Sequence, residues 1–244
     1  MENGNTDWQE WHKFFRGRSQ RPLPAAEPLR KYRNLPPSLA ASLAIFQLGE
    51  SGGGTVVEQA RSSSLPHTDD DFAEAMALFV AEEHRHADIL ALCVGQLGGE
   101  LIQKNWTAKL FVAARRLMGL RLKVLVLLAA EVVGICYYYL IACRLPVSPI
   151  RDWLEELVAD EQSHLDFHCD FLRTQADRPR KRLVFVVTWR ATMLLAAVAV
   201  MIDHRAAMRD LGIERKTIWR RWMTYADLAE RLVVRPRTNL VRVG

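Results

Sequence analysis

The chain of 244 residues predicts an all-α fold: a four-helix bundle with one long crossover, then a fifth long helix and a short C-terminal helix. Three observations carry that expectation. Apolar residues recur with a helical period, and no strand-like alternation of any length appears. Capping residues and Gly/Pro breakers divide the chain into long segments. Glu50, Glu83, Glu131 and Glu161 fall one to a segment, 33, 48 and 30 residues apart, so two short hairpin gaps flank a long central connection.

The elements follow in order. Residues 1–37 are rich in Arg, Pro and aromatics, and read as an irregular arm or short helix wrapping the domain. Helix spans Ser38–Arg61 and carries Glu50. Pro66 marks a turn, Thr68 or Asp69 caps a helix that runs to Leu97, and Gly98-Gly99 end it. A crossover follows, partly helical around Ala108–Met118. The next helix covers Leu120–Arg144 and stops at Pro146. Ser148 caps the fourth, Pro149 suits its first turn, and it continues to Ala176. Lys181–Asp210 forms the fifth helix, Gly212 breaks it, and a basic helix spans Glu214–Val234. The organisation is thus an arm (1–37), a bundle (38–176), and additional helices with a basic tail (177–244).

Half of the residues are hydrophobic, enough for a substantial core and against disorder. Cys93, Cys136, Cys143 and Cys169 show no C-x-x-C spacing and no secretory leader precedes them. Reduced thiols and a cytoplasmic location, or one peripheral to the inner membrane, are the expectation. From Arg173 to Gly244 there are sixteen Lys/Arg against six Asp/Glu, a local balance of +10 in a chain of net charge +5. That surface suits an acidic carrier protein or a membrane surface; no nucleic-acid-binding motif accompanies it. Two apolar stretches, Val124–Cys143 and Leu183–Ile202, are long enough to cross a bilayer. Glu131 interrupts the first and Arg190 the second, and charge at bilayer depth is costly. The first reads as a central bundle helix; the second as a buried fifth helix or one lying against a membrane face.

Two Glu-x-x-His pairs, Glu83/His86 and Glu161/His164, join the single glutamates Glu50 and Glu131. Residues three apart share a helix face, so each pair converges. Carboxylates can bridge two cations while each imidazole supplies a terminal nitrogen. Glu131 is the most telling, because its apolar flanks Leu125–Ala130 and Val132–Ile135 would not hold an unpaired carboxylate. Glu82 and Asp160 each stand four residues before a ligand histidine and suit an acceptor for its other ring N–H. His168, four after His164, is an outer neighbour of the same site.

The segment Glu82-Glu83-His84-Arg85-His86-Ala87-Asp88 resembles the E-E-N-R-H-G-D segment of acyl-carrier-protein desaturases, and Asp160-Glu161-Gln162-Ser163-His164 is similar to their D-E-K-R-H. Rubrerythrins, demethoxyubiquinone hydroxylases and aldehyde-deformylating oxygenases share the six-ligand scheme. The resemblance, over Leu39–Arg173, is to the ferritin-like di-iron carboxylate superfamily. It implies two Fe ions, with Mn/Fe or Mn/Mn centres also compatible, O2 as co-substrate, and an electron donor such as a ferredoxin. Rubrerythrins usually carry an additional glutamate on the third bundle helix, three residues from the first; in this chain Leu128 and Gly134 stand three residues from Glu131.

Gly53 and Gly54 follow Glu50 on its face, and Gly134 follows Glu131. Glycine in a helix costs roughly 1 kcal/mol relative to alanine. The run signals a distorted helix, room for substrate, or close helix packing. Phe46, Phe79, Leu127 and Tyr138 fall on the ligand faces, where they line an apolar pocket or simply form core. The expected function is an O2-activating oxygenase, hydroxylase or desaturase acting on a small or lipid-like organic substrate. The rivals are a peroxide-scavenging or iron-oxidising protein, and a non-catalytic partner- or membrane-docking protein; a homodimer is compatible with each.

Overall fold

The computed structural model describes residues 6–25, 34–52, 54–106 and 118–235, and every regular element among them is a helix. Helix α1 (Trp8–Arg18) starts where the Asp7 carboxylate accepts the amides of Gln9 and Glu10. Its Trp8, Trp11 and Phe15 lie on one face and are buried, with ring centroids 4.9 Å (Trp8–Phe72) and 5.2 Å (Phe15–Phe167) from the bundle's aromatics. The segment read as an arm is therefore in part a helix built into the core.

The sequence predicts one helix over Ser38–Arg61, and the structure has two: α2 (Pro37–Glu50) and α3 (Gly54–Arg61). The chain leaves helical geometry at Ser51-Gly52, where the Ser51 hydroxyl donates to the Leu48 carbonyl (2.9 Å). Side-chain bonds of this kind compete with the helix, and consecutive glycines weaken it further. Glu50 is consequently the last residue of α2.

Helix α4 (Asp70–Gln96) is capped by Asp69, whose carboxylate accepts the Phe72 amide (2.8 Å). It closes at Gly98, with φ +71°, and the Gly99 amide donates to the Val94 carbonyl (3.0 Å). The expected crossover helix around Ala108–Met118 falls almost wholly on residues 107–117, which lie outside the described residues.

Helix α5 (Leu120–Ala142) is apolar all round and almost wholly buried, so the first long apolar stretch is the protein's interior. Each buried Leu, Val or Ile contributes about 1.5–3 kcal/mol to burial, which dwarfs helix propensity here. Helix α6 (Pro149–Gln175) begins where the Ser148 hydroxyl accepts the Arg151 amide (3.4 Å). The predicted fifth helix is divided into α7 (Pro179–Asp203) and α8 (Arg205–Asp210). The division falls at His204, whose ring turns inward to Ser42 Oγ (2.7 Å). Helix α9 (Arg215–Val234) follows Gly212, which adopts φ +63°.

Helices α2 and α3 pack on α4, and α5 packs on α6; these two groups face each other through α4 on α6 and α3 on α5. Helix α1 covers α4. Helix α9 packs on α5 and α6, and α7 lies outside against α5 and α9. One apolar core runs from Trp8 to Val233.

Candidate metal centre

Glu83, His86, Glu161 and His164 are all buried and each offers a ligand atom within 4.8 Å of the others. They come from the facing surfaces of α4 and α6, where three-residue spacing puts each Glu above its His. His86 Nδ1 lies 3.6 Å from Glu83 Oε1 and 3.2 Å from Glu161 Oε1. His164 Nδ1 lies 2.9 Å from Glu83 Oε1, 3.0 Å from Glu161 Oε2 and 3.9 Å from Glu131 Oε2. Glu131 enters from α5, 3% exposed among leucines and valines. Glu50 enters from the C-terminal end of α2, partly buried, with its Oε1 accepting the Tyr138 hydroxyl (3.1 Å). All six residues predicted as ligands converge, with Glu50 and Glu131 on the rim of the tighter quartet.

The electrostatics are those of a site short of positive charge. Burial pushes the Glu131 carboxyl well above the carboxylate range, and Glu161 and Glu83 push it further. Glu50 is raised well above that range by burial and by the same two neighbours. Its place at a helix C-terminus, the negative end of the peptide dipoles, adds to the strain on a bare carboxylate. Burial opposes ionisation of Glu161 too, yet a hydrogen bond from Glu131 and the two imidazoles hold it well below the ordinary value. Burial also disfavours charge on His86, but Glu161 and Asp160 lift it to about 9. His164 is raised well up by Glu161, Glu82 and Glu83 against the same penalty.

Both imidazoles point Nδ1 into the cluster and Nε2 out of it. His86 Nε2 donates to Asp160 Oδ2 (3.3 Å) and His164 Nε2 donates to Glu82 Oε2 (2.9 Å). The acids predicted as outer acceptors do this work, but crosswise: each serves the histidine of the opposite helix. Four residues along one helix carry a side chain up the same face, whereas the outward ring nitrogen points across the gap to the neighbouring helix. In the neutral form that binds a metal, a proton fixed on Nε2 leaves Nδ1 as the free lone pair.

The arginines that anchor these acids were not singled out in the sequence. Arg18 contacts Asp160 and its Nε donates to Glu82 Oε1 (2.9 Å); Arg21 contacts Glu82 and its Nη2 donates to Asp160 Oδ2 (2.6 Å). Arg85 Nη2 adds a bond to Glu156 Oε1 (2.6 Å) and one to the Pro22 carbonyl (3.2 Å). Asp160 is held well below its ordinary range by His86, Arg21 and Arg18 despite its burial, and Glu82 is lowered chiefly by His164 and Arg18. The Arg-rich composition of residues 1–37 was the available signal.

His168 is fully buried; its Nε2 lies 3.2 Å from Glu131 Oε1, and burial with the nearby His164 charge drops it to about 3, so it is neutral. Phe79 packs edge-on against His164 and His168 (4.8 and 4.7 Å), walling the site. Phe46 packs tilted against Tyr137 and His204 and edge-on against Tyr138. Leu127 is core. At Gly134 a Cβ would press the Tyr138 ring at 3.3 Å and come within 3.9 Å of Glu161 Oε1, so the glycine here permits close approach. Gly53 lies outside the described residues, and Gly54 opens α3. Asp88 and Asp166 face solvent.

The donor set of Glu83, His86, Glu161 and His164 could hold a metal ion. His86 Nδ1 has no hydrogen bond of sound geometry, nor does Glu83 Oε1, although both are buried. Carboxylates that can be ionised only against their surroundings, beside imidazoles aimed inward, are what bound cations would neutralise. No family model matches the chain, and neither the curated proteins nor the solved structures contain a significant match.

Proposed function

We propose that this chain is a ferritin-like, O2-activating oxidoreductase whose metal pair, iron with manganese as a compatible alternative, is held by Glu50, Glu83, His86, Glu131, Glu161 and His164, and whose substrate is a small or lipid-like organic molecule. The observation that supports it most is the convergence of four glutamates with two Nδ1 atoms in one buried spot, each Nε2 tied to a carboxylate. When bound, the metals supply electron transfer to O2, which no protein side chain provides. The protein's own part is to orient and to shield. Glu82 and Asp160 fix the imidazole tautomers, Arg18 and Arg21 hold those acids, and Phe79 with His168 keeps water from the side of Glu131. Tyr138 places a hydroxyl on Glu50, the ligand at a helix end, where a carboxylate can shift with least backbone resistance. A crevice of about 320 Å³ between α5, α6 and α7, lined by Leu125, Leu172, Val184 and Phe185 with Arg180 and Lys181 at its edge, shares no lining residue with the candidate ligands.

Anaerobic loading with Fe(II), followed by metal analysis, should give two irons per chain; none or one would sink the dinuclear reading. Admission of O2 with a reduced ferredoxin and candidate substrates should then couple O2 uptake to organic product. Steady hydrogen peroxide turnover with no organic substrate required would instead favour a scavenging role.

A further inference from the structure

Helix α7 has two faces. Phe185, Trp189, Met193 and Ala197 recur every four residues and seal it against α5 and α9. On the other side Leu183, Val184, Val187, Leu194, Leu195 and Ile202 project into solvent, with Leu195 71% exposed and Leu183 65%. At 100° per residue these side chains occupy a continuous arc of about 120° along the helix. Only about a fifth of this helix's most apolar stretch is buried, against nearly nine-tenths in α5. Soluble monomers rarely leave so long an apolar stripe uncovered.

The charges around the stripe say what covers it. Among its exposed residues the one ionic group, Arg190, is drawn sideways to Asp227 and Glu230 of α9, at 2.6 Å each. Beyond the ends, Asp177 is taken up by Lys181 and Asp210 by Arg209, while Arg180 at one end and Arg205 and Arg215 at the other have no acidic partner among the described residues. A crevice opens at each end. The first, described above, joins Arg180, Lys181 and Arg121 to an apolar wall. The second, of about 250 Å³, joins Arg205 and Arg215 to Val198, Met201, Ile202 and Trp219. Guanidinium groups beside apolar wall and an indole suit a phosphate with the root of an acyl chain.

We propose that α7 is a membrane-docking helix. It lies in the plane of an anionic phospholipid bilayer, its leucine and valine arc in the acyl boundary and its terminal arginines on lipid phosphates. Because α5 and α9 cover its inner face, the helix docks on the surface without leaving the fold. This reading does not depend on the metal centre and is tested without metal.

The full chain should float with phosphatidylcholine vesicles that contain phosphatidylglycerol, bind those of phosphatidylcholine alone far more weakly, and lose affinity as salt rises. Leu183→Asp with Leu195→Asp should weaken partitioning by on the order of tenfold or more. Arg205→Gln and Arg215→Gln should each weaken it about fivefold. Both sets alter exposed positions, so the far-ultraviolet circular dichroism melt should stay at the wild-type temperature. Failure of the wild-type chain to bind anionic vesicles would overturn the proposal. So would light scattering that shows a dimer in lipid-free buffer which the leucine pair dissolves, since the stripe would then be a subunit interface.

Discussion

Replacing Glu131 with leucine separates the needs of the fold from those of the site. Glu131 sits mid-helix in α5 at 3% exposure, and burial with Glu161 and Glu83 keeps its carboxyl protonated in the metal-free protein. Leucine matches its volume roughly and removes a polar group from among Leu127, Leu128 and Val132. Leucine spares the cost of burying a carboxyl, about 1–3 kcal/mol. Against that stand the lost contact with His168 Nε2 (3.2 Å) and its bond to Glu161, a loss of about 1 kcal/mol per hydrogen bond. The two roughly cancel, so the metal-free variant should melt within about 3 °C of wild type. Melts in chelator, repeated with Fe(II) or Mn(II), check it. Wild type should gain strongly from metal through mass action, and Glu131→Leu should lose most of that gain and bind at most one ion. If the variant melts several degrees lower in chelator, yet keeps the wild-type metal-induced rise, Glu131 is a structural residue and the ligand argument fails.

Three further outcomes follow from the surrounding groups. Because the acids serve opposite histidines, Asp160→Asn should disturb the tautomer of His86 and Glu82→Gln that of His164, each lowering metal affinity about 10–100-fold. Imidazole NMR of each variant should show the change on the histidine of the other helix; a change on the same helix would refute the crossed pairing. Burial lowers His204 to about 4, so its neutral form is the one the fold accepts. Its stabilising contribution is whole above the unfolded value near 6.5 and is lost as pH falls towards 4, about 2 kcal/mol of it by pH 5. His204→Gln should flatten that part of the stability profile, and a variant as acid-sensitive as wild type between pH 7 and 5 would refute the assignment. Finally, Arg18→Met with Arg21→Met removes the two arginines shared by Glu82 and Asp160, leaving Arg85 at 3.8 Å from Asp160. Breaking such a cluster costs about 3–5 kcal/mol, visible in urea melts; a midpoint within error of wild type would mean that α1 does not hold these acids.

Much of this molecule is legible in its residues one segment at a time. Asp69, Ser148 and Gly98 mark helix ends through contacts that span three to five residues, and the helical period names the faces that turn inward. The six candidate ligands were visible for the same reason: a three-residue pair on one helix needs no knowledge of its neighbour, and a glutamate inside Leu125–Ile135 is anomalous wherever that helix goes. What local rules could not give are contacts that exist only once helices are side by side. Arg18 reaches Glu82 across 64 positions and Asp160 across 142, and the arm's richness in arginine does not say which acids it meets. The crossing of the outer acids depends on how α4 and α6 face one another. The helix breaks at Ser51-Gly52 and His204 reflect side-chain bonds to Leu48 and Ser42 that propensity alone underrates. Apolar length made α5 and α7 look alike. Only packing shows that α5 is covered and that α7 keeps an open face, because the burial of an apolar face depends on which neighbours reach it.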